Sequence, residues 1–419
     1  MPTLRCCIIM LLLLTTACVP ERVSWSPDGT RALLIGSDAL HLCDPTGKLL
    51  GPTIPGEVTA TWMPDSKHAI VLRQAELKTR QELAAAYPEE AAEIKDDTLD
   101  PAIERPLVQL YDLTGSDAKP GPIIAWLPKD GRNASHGMIR VSPTGQAVAI
   151  SRISDSHTSD QSDILVFATD GSGLRMKIEA AFYPDWTHDG NHLVYIKPLN
   201  ETTKDFGTLT RRKITDDKGQ LIKKDLKPEE LPAEETLTTL LYKNDLRVRT
   251  LNDGRILFTS IATRFPATDY ELLNKSTPSL FSFNPGGGGD NATLSRVTPL
   301  KIKGEEDDAK DLELTGLFEV SPDGKRVSIV AEAGLIMVLD IATGTLQKIQ
   351  PAPTVKMRNE KEILSLPSWR TADELTFIRP RSDSKGNEVI RHNLTSNQTI
   401  IISRDWPIAI TDDWLDKKN

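Results

Sequence analysis

Residues 25–29 read Trp-Ser-Pro-Asp-Gly, and six later segments repeat this pattern in weaker form. The equivalent segments begin at Trp62, Val141, Trp186, Thr250, Val320 and Trp369. Each is followed by an apolar, β-branched run such as residues 31–35, Arg-Ala-Leu-Leu-Ile. In such a turn proline sets φ, the aspartate bonds to the local backbone, and glycine accepts the left-handed conformation at the exit. The pattern predicts seven strand–turn–strand units, which is a repeat architecture.

A second turn pattern closes each unit, where an apolar strand enters an Asp/Thr/Gly turn. Examples are residues 44–47 (Asp-Pro-Thr-Gly), 112–115 (Asp-Leu-Thr-Gly) and 340–344 (Asp-Ile-Ala-Thr-Gly). One unit therefore reads as a four-stranded antiparallel meander. The anchors Trp25 and Trp62 are 37 residues apart, close to the roughly 40–50 residues of one propeller blade.

The series resembles the WD40-like, TolB-type β-propeller repeat, from Val23 to about Ser403. The resemblance implies an all-β ring of four-stranded antiparallel blades. Seven anchors favour seven blades, with six or eight left open, and a ring that closes by packing without a shared strand. Four tryptophans are then expected to pack between neighbouring blades: Trp25, Trp62, Trp186 and Trp369. TolB-type proteins carry a separate α/β domain before the propeller, so the resemblance implies the repeat and not the TolB role.

Longer intervals between anchors predict insertions. Residues 75–97 are rich in Ala, Glu, Leu and Lys and predict a charged amphipathic helix broken at Pro88, within an insertion of about 75–105. Lys227–Tyr242 predicts a second short helical or irregular excursion, and residues 305–308 predict an acidic surface loop. The propeller is assigned to residues 18–404, and residues 405–419 are expected to form a tail or closing strap.

The N-terminus has the pattern of a targeting segment. An apolar run from Cys6 to Leu14 is too short to span a bilayer as a helix, and Thr15-Thr16-Ala17 leads to Cys18. This resembles a bacterial lipoprotein signal, residues 1–17, which implies lipid attachment at Cys18. Thr15 stands where such signals usually have leucine, and an ordinary secretory signal cut after Ala17 is the alternative. Either signal predicts export to the periplasm or cell surface, with the outer membrane slightly favoured.

Composition restricts the function further. The net charge of −9 disfavours a protein that grips nucleic-acid phosphate. Cys6 and Cys7 leave with the signal and Cys18 is expected to be acylated, so Cys43 stands alone without a disulfide, and we expect it to be a small core residue. Trp126 starts another turn-like segment, interpreted as part of the fourth strand of blade 2.

Candidate catalytic and metal-binding patterns are weak. No G-x-S-x-G nucleophile elbow of the peptidases that carry such propellers occurs, nor does a P-loop or dinucleotide fingerprint. His188 and His192 are the only closely spaced histidines, and they span a turn, where convergence on a metal is not expected. The sequence therefore predicts no catalytic residue, no metal ligand and no cofactor.

These observations favour a membrane-anchored envelope lipoprotein whose propeller binds unidentified protein partners without catalysis. One alternative is a polysaccharide lyase or hydrolase with a metal site at the channel mouth, which predicts convergent His, Gln or carboxylate side chains there. Another is a non-catalytic carbohydrate or small-ligand module, for which Trp126, Trp406 and Trp414 are the tryptophans left for stacking.

Overall fold

The structure is a computed structural model. It describes residues 22–36, 39–51, 53–56, 58–115, 118–128, 132–133, 138–154, 162–199, 206–224, 226–241, 246–264, 279–286, 292–297, 301–302, 314–331, 336–349, 367–380 and 387–404. Within these ranges the helices are too short or too polar to cross a membrane.

Seven antiparallel sheets follow one another along the chain, each with four strands in chain order. Blade 1 contains β1 (Val23–Trp25), β2 (Ala32–Ile35), β3 (Ala39–Cys43) and β4 (Ile54–Pro55). Blade 2 contains β5 (Val58–Trp62), β6 (His68–Thr79), β7 (Thr98–Asp112) and β8 (Lys119–Trp126). After the short β9 (Arg132–Asn133), blade 3 contains β10 (Ile139–Val141), β11 (Ala147–Ser154), β12 (Asp163–Ala168) and β13 (Leu174–Glu179). Blade 4 contains β14 (Phe182–Trp186), β15 (His192–Pro198), β16 (Phe206–Lys213) and β17 (Glu234–Leu241).

The remaining three blades repeat this order. Blade 5 contains β18 (Val248–Thr250), β19 (Ile256–Ser260), β21 (Ser279–Asn284) and β22 (Thr293–Arg296), with β20 (Ala262–Arg264) pairing to β17 of blade 4. Blade 6 contains β24 (Leu314–Val320), β25 (Arg326–Ala331), β26 (Ile336–Asp340) and β27 (Thr345–Lys348), with β23 (Lys301–Ile302) parallel to β27. Blade 7 contains β28 (Ser368–Thr371), β29 (Glu374–Pro380), β30 (Asn387–Asn393) and β31 (Gln398–Ser403). The predicted seven-bladed propeller is confirmed.

The ring closes between blade 7 and blade 1 by packing. The first strands β1 and β28 are in contact. Val23 and Trp25 share a buried cluster with Ile378 and Val389 of blade 7. Each described sheet is built from a continuous stretch of chain apart from β20, so the expected closure without a shared strand is confirmed. The predicted strap at residues 405–419 lies outside the described residues.

The four anchor tryptophans are buried between blades, as expected. Each donates its indole N–H to the preceding blade: Trp62 to the carbonyl of Ser24 (2.9 Å), Trp186 to that of Arg140 (2.9 Å), Trp369 to that of Glu319 (3.0 Å), and Trp25 to the hydroxyl of Thr376 (3.0 Å). A buried indole needs such an acceptor, so the bond also sets how neighbouring blades face each other.

The first turn forms the hydrogen bonds that its residues predict. The amide of Gly29 donates to the carbonyl of Ser26 (2.8 Å), and the hydroxyl of Ser26 donates to Asp28 Oδ1 (2.6 Å). Turns of neighbouring blades also touch, because the amide of Asp28 donates to the hydroxyl of Ser66 (3.0 Å) and Arg370 Nε donates to the carbonyl of Gly29 (2.9 Å). These contacts join the turn of blade 1 to the turns of both its neighbours.

Two insertion predictions need correction. Helix is limited to α1 (Arg80–Ala86) and α2 (Pro88–Glu93). The predicted helix over 75–97 and the helical insertion of about 75–105 extend too far, since residues 75–79 and 98–105 are strand. Cross-strand pairing such as Leu77 with Ile103 overrides the helix propensity there. Likewise, within Lys227–Tyr242 only Pro228–Glu230 form a 3₁₀ turn, and the outer strand β17 occupies most of the rest.

Candidate functional site

Charged side chains gather on the first strands of blades 3 to 6, which border the propeller axis. Arg140, Asp185, Arg249 and Glu319 each stand one residue before the repeat anchor of their blade. Blades 7, 1 and 2 have hydroxyl residues at the same repeat position: Ser368, Ser24 and Thr61. The charged part of the channel therefore covers one side of the ring, and we refer to the four charged residues together with Arg247 as the channel cluster.

The strongest contacts of the channel cluster join blade 5 to blade 6. Arg249 makes a two-pronged ion pair with Glu319, from Nε to Oε1 (2.8 Å) and from Nη2 to Oε2 (2.6 Å). Arg247 lies 3.8 Å from the same carboxylate. Both guanidinium groups are buried, and the Glu319 side chain is 23% exposed. A bidentate ion pair of this geometry fixes the orientation of the Glu319 carboxylate.

Asp185 joins blades 3, 4 and 5. Its Oδ2 accepts the amide of Thr250 (2.7 Å), and its Oδ1 lies 4.0 Å from Arg140 Nε. Burial raises the pKa of Asp185 above its ordinary value, while the positive charges of Arg249 and Arg140 act in the opposite direction. The channel cluster thus links four blades and presents a polar, partly exposed surface at the axis.

Sequence reasoning missed the channel cluster, although a signal was present. Aligning the seven repeats on their anchors places Arg, Asp, Arg and Glu in one column in repeats 3 to 6. Strand alternation places that column on the face opposite the anchor. Single repeats do not show this, because an isolated charged residue before the anchor resembles any exposed strand residue.

The closely spaced histidines, His188 and His192, lie in different surroundings. His188 is exposed on its turn, while His192 is half-buried in β15. Burial lowers the pKa of His192. Across the described residues no three His, Cys, Asp or Glu side chains are grouped so that they could hold a metal ion. His136 and His157 lie outside those residues.

His392 is a core histidine of blade 7. It is 1% exposed, its Nδ1 lies 2.7 Å from the hydroxyl of Thr399, and burial lowers its pKa. Cys18, the predicted lipid-attachment residue, lies outside the described residues, as do Trp406, Trp414 and residues 305–308. The third tryptophan proposed for ligand stacking, Trp126, packs edge-on against Tyr87 with ring centroids 6.1 Å apart.

We expect Cys43 to resist alkylation by iodoacetamide at about pH 8 in the folded protein and to react fully in denaturant. The residue is fully buried, as predicted. Burial raises the pKa of its thiol to about 12, and the carboxylate of Asp44 acts in the same direction. Mass spectrometry of the peptide containing Cys43 measures the labelled fraction. Native labelling as fast as that of a free thiol would contradict the buried position.

Blade 2 carries a long two-stranded extension that ends in helices. β5 pairs with β6 as far as Arg73, and β8 pairs with β7 from Leu107 onward. The pairing of β6 with β7 continues beyond both, to Thr79 opposite Thr98. This two-stranded ribbon and the helices α1 and α2 at its end form the arm, residues 74–106.

The arm has its own small core. Leu77, Leu83, Ala91 and Leu99 form a buried cluster separate from the blade interiors. The Thr79 hydroxyl accepts the Glu82 amide (3.2 Å) and the Glu82 carboxylate accepts the Thr79 amide (3.0 Å), which is a capping box at the start of α1. The hydroxyl of Tyr87 donates to the carbonyl of Leu127 at the end of blade 2 (2.6 Å). These contacts hold the helices against the blade.

The surface of the arm is strongly acidic. Residues 74–106 contain nine acidic and four basic residues, so they carry −5 of the chain's net charge of −9. Eight of the nine carboxylates are exposed. The ninth, Glu90, pairs with Arg105, whose guanidinium also lies 5.6 Å from the centre of the Tyr87 ring. The arm is therefore an ordered, projecting surface with concentrated negative charge.

No family model and no curated protein matches the sequence. Among solved structures, TolB from Acinetobacter baumannii is similar with a TM-score of 0.40 and 13% identity, over 90% of this chain and 77% of that one. The likeness is one of fold. A Mycobacterium tuberculosis puromycin-hydrolyzing peptidase has a TM-score of 0.48 and 12% identity, over 94% of this chain and 56% of its own. A prolyl endopeptidase has a TM-score of 0.49 and 11% identity, over 91% and 50%. The chain thus spans about half the length of these two peptidases.

Proposed function

We propose that the protein is an exported scaffold of the cell envelope that binds a protein partner and has no catalytic activity of its own. The acidic arm of blade 2 is the observation that carries the proposal. A propeller is a stiff support on which a binding element can be placed without chemistry. The arm has the order and the surface charge that such an element needs.

The charge of the arm indicates the kind of partner. Exposed carboxylates on a fixed support attract a positively charged surface and raise the association rate of the two proteins. This effect weakens as the salt concentration rises. The helices contribute little large apolar surface, because Leu83 is buried in the arm core and the exposed apolar residues are alanines and Pro88. We therefore propose a partner with a basic docking surface, bound most tightly at low ionic strength.

Charge reversal on the arm is expected to abolish partner capture. The variant Glu89→Lys/Glu93→Lys changes two exposed carboxylates on α2. We expect it to lose proteins that the unmodified chain retains from detergent-solubilised envelope, with at least about a tenfold decrease in recovery. Quantitative mass spectrometry of the retained proteins measures the loss. The control variant Asp217→Lys/Glu229→Lys makes the same change in net charge on exposed residues of blade 4, and we expect it to retain them. Equal recovery by both variants would refute docking on the arm.

We also propose that Cys18 carries the lipid that attaches the scaffold to a membrane, with the outer membrane favoured. The support is the sequence pattern that ends at this cysteine. The mass of the mature N-terminal peptide tests it, because an acylated Cys18 and a free N-terminus after Ala17 differ by the lipid.

A hydrolase is the second candidate, favoured by one observation. Asp185 and Glu319 lie in the same cluster. Burial raises the pKa of Asp185, and Glu319 is paired with Arg249. Carboxylates in contrasting surroundings are a feature of acid–base sites. Cleavage of a polysaccharide by the unmodified chain, lost in Asp185→Asn, would favour this function over the scaffold.

A further inference from the structure

A groove with a volume of about 520 Å³ lies between the outer strand of blade 3 and the side of blade 4. β13 provides one wall, with Leu174, Arg175 and Lys177, and blade 4 provides Lys197 and Arg212. The volume falls in the range of about 300–1,000 Å³ that small-molecule sites occupy. We refer to it as the blade 3–4 groove.

The groove has an apolar part made by the long connection between β16 and β17. Leu226 and Leu231 of this connection line the groove and pack on the buried cluster that contains Met176. Leu174 is 36% exposed at the groove edge. The connection therefore folds back on blade 3 and leaves leucine side chains facing open space, where they can contact an apolar group.

The groove also has an excess of positive charge. Four cationic side chains line it, against the carboxylates of Glu179 and Glu234. Lys197 (2.7 Å) and Arg212 (3.3 Å) share Glu234, and Lys177 pairs with Glu179 (2.9 Å). These contacts leave a net charge of about +2 at the groove, counted as full charges near neutral pH.

Arg175 is the groove cation that pairs with neither Glu179 nor Glu234. Its Nη2 donates to the hydroxyl of Ser172. Its Nε is buried and has no hydrogen-bond partner in the described part of the chain. A buried donor without an acceptor is costly, and a guanidinium matches a carboxylate or phosphate with two parallel hydrogen bonds. The buried Nε is out of reach of a ligand, but the half-buried Arg175 side chain lines the groove, so an anionic group there would lie beside its guanidinium.

We propose that the blade 3–4 groove binds a single-chain amphiphile with a phosphate or carboxylate head. The head would be held by Arg175 and its cationic neighbours, and the chain would lie on Leu174, Leu226 and Leu231. A neutral apolar ligand would leave the cations without a counter-charge, and a bare anion would leave the leucines uncovered. This site is separate from the arm, so its failure and that of the scaffold function are independent.

Isothermal titration calorimetry at low salt tests the proposal with octyl phosphate, inorganic phosphate and octyl glucoside. The two surfactants are kept below their critical micelle concentrations. We expect octyl phosphate to bind at least about tenfold more tightly than inorganic phosphate or octyl glucoside. If inorganic phosphate bound as tightly as octyl phosphate, the groove would hold an adventitious ion only. If octyl glucoside bound as tightly as octyl phosphate, the groove would be an apolar surface that does not select an anionic head group. Either result, or no binding of octyl phosphate, overturns the proposal.

Substitutions separate the two parts of the groove. Arg175→Gln is expected to weaken the binding of octyl phosphate about tenfold and leave that of octyl glucoside unchanged, since it removes the charge and keeps a polar side chain. Leu174→Gln is expected to weaken octyl phosphate and leave inorganic phosphate unchanged. Lys119→Gln removes an exposed cation on blade 2 and serves as the control. Thermal melting followed by circular dichroism verifies that all three fold. A loss as large in Lys119→Gln as in Arg175→Gln would refute the site.

Discussion

Gly29→Ala is expected to destabilise the propeller by about 3 kcal/mol or more, a large change for a single methyl group. Gly29 has φ +68°, in the left-handed region, and a Cβ built on it would lie 2.7 Å from the carbonyl oxygen of Arg370 in blade 7. The obstacle is backbone, which cannot rotate away. The substitution thus combines left-handed strain with a clash at the seam where the ring closes.

The seam has little freedom to absorb the added atom. Arg370 is held by its hydrogen bond to the carbonyl of Gly29 and by its ion pair with Glu374. Its guanidinium also lies 5.7 Å from the centre of the Trp25 ring. Moving the backbone of blade 7 outward would disturb these contacts together, so we expect the seam to open earlier during unfolding.

Gly219→Ala is the matched control for this prediction. Gly219 has φ +72°, and a Cβ there would meet nothing within 4 Å. Gly219→Ala should lower the free energy of unfolding by the left-handed backbone strain alone, about 1–2 kcal/mol. Guanidinium unfolding followed by tryptophan fluorescence gives both values, and Trp25 and Trp369 report on blades 1 and 7. Similar destabilisation by the two substitutions would show that the blade 7 contact does not matter.

Arg152→Met is the second substitution with a large expected effect, a loss of about 3–5 kcal/mol. Arg152 is 1% exposed and Asp163 is fully buried. Arg152 Nε donates to Asp163 Oδ1 (2.9 Å), and Nη2 donates to Oδ2 (2.7 Å). Nη1 also donates to the carbonyl of Pro128, which follows blade 2 (3.2 Å). Removing the guanidinium leaves a carboxylate inside blade 3 without its main counter-charge.

The double variant Arg152→Met/Asp163→Leu is expected to recover most of that loss, because an apolar pair of similar volume avoids burying an unpaired charge. Lys213→Met removes one partner of an exposed pair, in which Asp217 is 99% exposed, and should cost about 0–1 kcal/mol. Urea unfolding midpoints measure the four proteins. If the double variant were as unstable as Arg152→Met, the cost would come from packing and not from charge.

The propeller could be predicted because its signals are local. Residues 25–29 specify a turn through their own side chains, and the apolar run that follows specifies the next strand. Seven such segments, with insertions in the longer intervals between them, were sufficient to predict the fold. The prediction of helix over residues 75–97 was wrong at its ends, because the structure there depends on pairing with residues that are distant in the chain. Residues 75–79 have helix-forming composition but pair with β7, from Ala75 opposite Arg105 to Thr79 opposite Thr98.

The sequence by itself determined the repeat, since each turn and strand depends on residues within one unit, and it favoured seven blades with six or eight left open. Only the tertiary structure decided which units meet. Arg140 and Glu319 are far apart in the chain and share one cluster because the ring bends blades 3 to 6 around a common axis. Arg175 meets Leu231 in one groove because a connection of blade 4 folds back on blade 3. Such contacts depend on ring closure, which no single repeat encodes, and the candidate binding surfaces arise there.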